Sequence, residues 1–299
     1  MSPLDLLTDP WEHVFMQRAF AAAALSALVC AVVGTFVVLR GMAFIGDAVA
    51  HGVFPGVAVG YVLQVNLALG GAVAGIATAL AVAIVSQNRR LKEDTVIGVF
   101  FAFAFAVGIV LVSTQSAYTG DLASFLFGQI LGISDADVVT IAAAGVMLVA
   151  VILVLRKELV TVSLDRETAA AAGLPVRRLD ALLYVMVAVA IVISLQAVGN
   201  ILVLALLITP AATARLLTDR LAVMMVLAAG IGTGSAITGL YLSYYHNLAS
   251  GGLIVLVVTG AFVACWLLAP RYGLLGKVRH RIRPTVDSLP QQVVPNVTG

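Results

Sequence analysis

The segment FVVLRGMAFIGDAVAHGVFPGVAVGY, residues 36–61, places an aspartate and a histidine, Asp47 and His51, inside an otherwise apolar stretch. Residues four apart lie on one face of an α-helix, because each residue turns the helix by about 100°. A carboxylate at the centre of a bilayer costs about 2.5–3.5 kcal/mol on insertion scales, so ionisable residues in such segments are functional candidates. The segment therefore predicts a helix that presents an oxygen ligand and an imidazole on one face, which suggests a path for a metal ion.

The composition is that of a membrane protein. Of the 299 residues, 62% are hydrophobic and 11% are charged, whereas a soluble domain carries about 25% charged residues. No soluble fold of this length can bury so much apolar surface, so we predict an all-α, polytopic membrane protein. The formal net charge of +2 gives no reason to expect nucleic acid as a partner.

Apolar runs of about 20 residues are needed to cross a bilayer as helix, and the sequence contains nine candidates. They cover residues 14–39, 44–63, 67–87, 94–113, 135–155, 179–197, 199–217, 221–243 and 251–269. We therefore predict eight to nine membrane helices in a permease domain over residues 14–270. A short N-terminal segment, 1–13, precedes this domain, and a polar C-terminal tail, 271–299, follows it and is expected to be disordered.

Two parts of the chain depart from simple membrane spans. Pro210 is expected to interrupt the seventh span, and Asn200, Thr209 and Thr213 make that span polar. Broken helices of this kind line cavities in transporters. The segment 114–134 holds an apolar stretch too short to cross, which we expect at the outer surface or partway into the bilayer.

The basic residues predict the orientation. If the loop SQNRRLKEDT lies inside the cell, alternation of the spans puts 16 of the 17 Lys and Arg residues inside and leaves only Arg18 outside. This bias follows the positive-inside rule. It predicts an odd number of crossings, with the N-terminus outside and the C-terminus inside.

A polar segment between spans, residues 156–180, contains a predicted short cytoplasmic helix from Asp165 to Ala172. Its candidate N-caps are Ser163 and Asp165, and its candidate terminators are Gly173 and Pro175. A helix in this place can dock onto a partner and transmit force to the spans on either side.

The chain lacks the motifs of ATP hydrolysis and of common intramembrane hydrolases. It contains no G-x-x-x-x-G-K-[ST], no H-E-x-x-H and no G-x-S-x-G sequence. Cys30 and Cys265 lie in apolar runs and are predicted to be packing residues. We therefore predict a transport subunit that is not an enzyme and binds no cofactor, so any ATPase would be a separate polypeptide.

Six blocks, taken in order, resemble the permease subunits of ABC importers for zinc, manganese, iron and related divalent metals. The blocks are LRGMAFIGDAVAHGVFPGVAVGY (39–61), EDTVIGVFFAFAFAVGIVL (93–111), GDLASFLFGQILGIS (120–134), SLDRETAAAAGLPV (163–176), VGNILVLALLITPAATARLL (198–217) and LSYYHNLASGGLIVL (242–256). The resemblance covers nearly all of residues 14–270.

The resemblance implies a homodimer in the bacterial cytoplasmic membrane, with a cytoplasmic ABC ATPase subunit and an extracytoplasmic metal-binding protein as partners. It implies that Asp47 and His51 meet the metal in transit. It also implies that the segment 163–175 is a coupling helix that docks on the ATPase. Its candidate contact residues are Asp165, Arg166, Glu167, Ala170 and Gly173.

The ligand chemistry agrees with this resemblance. One Asp and one His are too few for a closed metal site, which needs about four ligands, but a two-fold dimer would supply two of each. Imidazole and carboxylate suit manganese, zinc or iron(II), and protons compete for both ligands, so we expect weaker binding as the pH falls.

Two other interpretations of the pair stay open at this point. Asp47 and His51 could be a structural polar pair that holds helices together, or the proton or ion relay of a secondary transporter. A membrane enzyme or scaffold is disfavoured, because the chain has no nucleophile–base motif. A neighbouring gene for a P-loop ATPase would separate the ABC importer from the alternatives.

Overall fold

The computed structural model describes residues 8–64, 66–87, 90–113, 128 and 130–269. Within these residues the regular structure is helical, with ten α-helices and two short 3₁₀ turns, Asp9–Glu12 and Ile130–Gly132. The helices are α1 (Val14–Arg40), α2 (Ile45–Val62), α3 (Leu67–Val85), α4 (Glu93–Ser113), α5 (Asp135–Leu164), α6 (Arg166–Ala171), α7 (Val176–Val198), α8 (Asn200–Leu217), α9 (Leu221–His246) and α10 (Ser250–Leu268).

Nine of these helices correspond to the nine predicted spans, so the prediction of an all-α polytopic fold is confirmed. Seven are long and apolar enough to cross a membrane, and α2 and α3 are also apolar. Helix α5 continues to Leu164, beyond the predicted end at residue 155. The extension contains RKEL, and these residues are good helix formers that extend a helix past its apolar part.

Helix α1 is the centre of the bundle and packs against α5, α7, α8 and α9. Small residues allow this burial from several sides. A Cβ atom on Gly34 would lie 1.7 Å from the carbonyl oxygen of Leu207 in α8, so the two backbones approach too closely for any side chain. The helix is therefore a fixed axis around which the others are arranged.

Helix α2, which carries Asp47 and His51, packs against α3, α4 and α7. Its contact with α3 is a close glycine crossing. A Cβ atom on Gly56 would lie 2.1 Å from the Gly70 carbonyl oxygen, and one on Gly70 would lie 2.4 Å from the Gly56 carbonyl oxygen. The glycines of α2 thus serve helix packing, as small residues do in membrane bundles.

Helix α8 is continuous through Pro210, so the expected interruption of the seventh span is wrong. A proline inside a helix costs about 3 kcal/mol, because it removes a backbone donor and crowds the preceding turn. Pro210 is buried, and a Cβ atom on Gly232 of α9 would lie 3.3 Å from its ring. We infer that packing against neighbouring helices compensates for this cost and keeps α8 helical on both sides of Pro210.

Ion pairs mark the two ends of the bundle. At one end, Arg18 near the start of α1 donates to Asp135 at the start of α5 over 2.6 Å. At the other end, Arg40 at the close of α1 pairs with Asp180 near the start of α7. This arrangement matches the alternating directions predicted from the basic residues. Residues 114–127 of the predicted outer segment and the tail 271–299 lie outside the described residues.

Candidate functional site

Asp47 and His51 lie one turn apart in the first half of α2, as the spacing predicted. Both side chains are half-buried. The His51 Nδ1 atom lies 2.9 Å from the backbone carbonyl oxygen of Asp47. The structure therefore brings the two predicted ligands together on one face of a single helix.

The hydrogen bond of His51 decides which ring nitrogen is available to a ligand. A carbonyl oxygen only accepts, so Nδ1 must carry the proton in the neutral imidazole. The lone pair then lies on Nε2, at the other side of the ring. This division, with one nitrogen bonded to the protein and the other free to ligate, is the usual arrangement of metal-binding histidines.

Two phenylalanines of α4 hold the His51 ring in place. The ring centroid of His51 lies 4.7 Å from that of Phe101 and 5.2 Å from that of Phe105, and both contacts are edge-to-face. The two phenyl rings are parallel, with interplanar angle 2°, and form a flat wall. Helix α4 therefore contributes to the orientation of an imidazole that belongs to α2.

Asp47 lines a cleft of about 540 Å³ between α2 and the first turns of α4. Among the described residues of its lining, Asp47, Asp94 and Thr95 are polar, and the others are Phe44, Ile97, Gly98 and Phe101. The cleft thus has two carboxylates and a hydroxyl in an otherwise apolar wall. Such an arrangement suits a small, oxygen-preferring cation.

The described residues of one chain do not complete a metal site. Within the part of the chain that the structure describes, no group of three His, Cys, Asp or Glu side chains could hold a metal ion together. Asp47 and His51 are two ligands, whereas closed sites commonly use about four. A closed site therefore needs ligands in addition to these two.

The predicted cytoplasmic helix is present as α6. The Asp165 carboxylate caps it by accepting from the backbone N–H of Glu167 over 2.8 Å and of Thr168 over 3.1 Å. The Thr168 hydroxyl donates to the same carboxylate over 2.5 Å. These three donors, led by the hydroxyl, hold the pKa of Asp165 below its usual value. Gly173, with φ of +80°, ends the helix as the sequence predicted.

The five predicted coupling residues divide between a surface and an anchor. Asp165, Glu167, Ala170 and Gly173 are exposed. Arg166 instead turns toward the bundle, where it pairs with Glu93 of α4 and lies 3.3 Å from the Asp180 carboxylate. Ala169, which belongs to the same helix, is fully buried. The helix therefore presents one face outward and fastens the other to the bundle.

Several residues at these places were not predicted as site residues. They are Asp94 in the cleft, Phe101 and Phe105 beside His51, and Arg40, Glu93 and Asp180 around Arg166. Helical spacing offered a signal for the aromatic pair, because Phe101 and Phe105 are four residues apart. Nothing in the local sequence indicates which helix they face.

Comparison with known proteins decides the family. Residues 12–269 match the ABC 3 transport family. The chain belongs to the ABC 3 transport family.

Curated and solved members of similar length show how far this likeness extends. The chain is 42% identical over 276 residues to the manganese transport system membrane protein MntC of Halalkalibacterium halodurans, covering 92% of this chain and 94% of the relative. It is 38% identical over 280 residues to the chelated iron transport system membrane protein YfeC of Yersinia pestis, covering 94% and 95%. The solved structure of PsaBC from Streptococcus pneumoniae in complex with Fab aligns with a TM-score of 0.80 at 34% identity, covering 92% of this chain and 99% of that one.

These findings confirm the predicted permease of the ABC importer class and its multi-pass location in the bacterial cytoplasmic membrane. They do not test the roles of individual residues in this ABC 3 member. Asp47, His51 and the α6 residues therefore stay predictions, to which the geometry adds an orientation.

Proposed function

We propose that this ABC 3 permease moves a divalent metal ion, manganese or iron(II) in the first place, across the membrane past Asp47 and His51. One observation carries the proposal. Asp47 lines a mostly apolar cleft. His51, one turn away on the same face, has its Nδ1 bonded to a carbonyl oxygen, which leaves the lone pair of Nε2 for a ligand. A carboxylate and an imidazole on one face form the start of a coordination shell.

The lining of the cleft favours a harder cation. Asp94 and Thr95 add oxygen atoms to the cleft that Asp47 lines, and no cysteine is among the described residues of its lining. Carboxylate and hydroxyl oxygens suit manganese, whereas thiolates would select zinc or copper(I). The similar proteins named for manganese and iron transport agree with this choice. Zinc, which imidazole and carboxylate also bind, is the third candidate.

A homodimer would complete the site. Two copies related by a two-fold axis would bring two Asp47 and two His51 side chains together, which makes four ligands for one ion. Helix α4, which borders the cleft, leaves most of its apolar surface exposed in the single chain. That surface is available to a second copy.

Transport would follow alternating access driven by a separate ABC ATPase. The exposed face of α6, with Asp165, Glu167, Ala170 and Gly173, would dock on the ATPase. Binding and hydrolysis of ATP would move α6, and the cleft would open to one side and then to the other. An extracytoplasmic binding protein would deliver the ion at the outer end.

The test is uptake into proteoliposomes that contain the permease, its ATPase and its binding protein, with manganese, iron(II) and zinc supplied in competition. We expect ATP-dependent uptake, and we expect Asp47→Ala or His51→Ala to reduce it by about 100-fold or more, since even residues behind the ligands typically cost 10–100-fold.

Asp219→Ala is the matched control, because Asp219 forms an exposed pair with Arg215 away from the cleft. Wild-type uptake rates in both Asp47→Ala and His51→Ala would disprove the metal path. Uptake that proceeds without ATP would instead indicate an ion-coupled transporter.

A further inference from the structure

Four charged residues form an ion cluster where α6 meets the bundle: Arg40, Glu93, Arg166 and Asp180. Arg166 Nη2 donates to Glu93 Oε1 and lies 3.3 Å from Asp180 Oδ2. Asp180 Oδ1 accepts in turn from Arg40 Nη2. The members come from the end of α1, the start of α4, the start of α6 and the start of α7, so one cluster joins four helices.

The cluster is buried at one end and hydrated at the other. The side chains of Arg40 and Asp180 are 4% and 5% exposed, whereas those of Arg166 and Glu93 are 39% and 21% exposed. A buried pair is not broken without leaving an unpaired charge, so it acts as a fixed joint. The outer pair is weakened by water and can change its geometry at lower cost.

The Glu93 side of the cluster leads to one wall of the cleft. Glu93 is the first residue of α4, and its neighbour Asp94 lines the cleft that also contains Asp47. Further along the same helix, Phe101 and Phe105 contact the His51 ring. A displacement of α4 at Glu93 therefore moves Asp94, which lines the cleft together with Asp47, and the two phenyl rings that contact His51.

The Arg40 side leads to the other wall. Arg40 is the last residue of α1, and the turn after it is closed by backbone hydrogen bonds from Met42 N–H to Val37 O and from Ile45 N–H to Met42 O, both 3.1 Å long. Helix α2 starts at Ile45, so Asp47 lies in its first turn. These hydrogen bonds restrain the turn, so the position of Arg40 and the start of α2 are coupled.

We propose that Arg166 and Glu93 are positioning residues that transmit movement of α6 to the α4 wall of the cleft, while the Arg40–Asp180 pair holds the α2 wall. This inference rests on the proposed function. Arg166 would pull α4 through Glu93 while Asp180 and Arg40 keep α1 and α2 in place, so the walls would move relative to each other. The exposed face of α6 and the cleft are thereby linked through side chains rather than through the backbone alone.

The first test measures metal uptake and ATP hydrolysis together in the assembled transporter. In Glu93→Gln and Arg166→Gln we expect ATP hydrolysis to continue and the metal transported per ATP to fall about tenfold, within the range of typical coupling energies. The double variant should match Arg166→Gln, because both changes remove one link. Arg215→Gln, which breaks the exposed Arg215–Asp219 pair at the same end of the bundle, should leave the ratio unchanged.

A second readout does not depend on the metal. A Cβ atom on Gly98, which lines the cleft, would meet no atom within 4 Å, so Gly98→Cys places a thiol there without strain. Cys30 is fully buried, and Cys265→Ser removes the other native thiol. We expect ATP to change the rate at which a maleimide modifies Gly98→Cys, and we expect Glu93→Gln to abolish that response.

The outcomes separate the two proposals. Equal metal-to-ATP ratios and equal maleimide responses in Glu93→Gln, Arg166→Gln and Arg215→Gln would overturn the role of the cluster. A maleimide response that needs Glu93, in a transporter that carries no metal, would support the cluster and reject the proposed substrate. If Arg166→Gln fails to assemble, Glu93→Gln decides, because it leaves Arg166 beside Asp180.

Discussion

At the scale of single residues, the two candidate ligands are held in different ways. His51 has one nitrogen bonded to a backbone carbonyl and two phenyl rings against its edge, so its orientation is largely set before any ion arrives. Asp47 faces the cleft with no comparable restraint among its described contacts. A fixed imidazole and a freer carboxylate allow the shell to form and to release its ion, as transport requires.

The residue with the largest expected effect on stability is Asp180. Asp180→Ala would remove the carboxylate that pairs with the buried Arg40 guanidinium. Arg40 would keep its hydrogen bond to the Ser163 hydroxyl. Removal of one partner of a buried pair costs about 3–5 kcal/mol. We expect a correspondingly large fall in the thermal unfolding midpoint of the purified permease.

Asp219→Ala serves as the comparison for Asp180→Ala. Asp219 and Arg215 have side chains that are 51% and 46% exposed, and exposed pairs contribute about 0–1 kcal/mol. Similar midpoints for the two variants would show that the Arg40–Asp180 pair is not the joint described above.

At the scale of elements, α6 is too short to be stable by itself and depends on its cap. Six residues form it, and isolated helices under about 12–15 residues are marginal in water. Tertiary and capping contacts stabilise the helix instead: the Asp165 cap, the burial of Ala169 and the ion pairs of Arg166. The segment was predictable because the cap and the terminator are local signals, whereas the Arg166 contacts are not.

The cap makes a specific prediction for pH. Hydrogen bonds lower the pKa of Asp165 in the folded state, so its stabilisation is complete above the unfolded pKa and is lost as the pH falls through the lowered value. We therefore expect the amides of Glu167 and Thr168 to stay protected from hydrogen exchange, relative to intrinsic rates, until the pH is below the usual aspartate range.

Thr168→Val tests the cause of that shift. It removes the hydroxyl, which is the first of the donors that lower the pKa of Asp165. Protection should then be lost at a higher pH than in the wild type. An unchanged midpoint would mean that the Thr168 hydroxyl does not stabilise the carboxylate.

At the scale of the whole molecule, the charge distribution sets the direction of the bundle. We expect the α6 end to be cytoplasmic, since 16 of the 17 basic residues fall on that side of the predicted topology. Cysteines can test this in a Cys265→Ser background. Leu248→Cys should react with an impermeant maleimide on intact cells, and Asp219→Cys should react only after lysis. The reverse pattern would invert the topology.

The sequence by itself determined the fold class, the nine helical segments, the cap and end of α6, and the pairing of Asp47 with His51 on one helix face, and it predicts the orientation. Each of these depends on composition or on residues close together in the chain, where hydropathy and helical period act directly. Two helices differed from the prediction. Helix α5 extends past its apolar run because the following residues are good helix formers, and α8 continues through Pro210, which is packed against neighbouring helices.

Only the tertiary structure decided which helices meet. Contacts between distant residues depend on how side chains interlock, as where Gly56 crosses Gly70 and where Phe101 of α4 contacts His51 of α2. No local pattern could place Asp94 in the same cleft as Asp47 or join Arg166 to Glu93 and Asp180. The sequence shows that a charged residue is costly to bury, but it does not show which residue will pair with it. The packing of the complete bundle decides the partner.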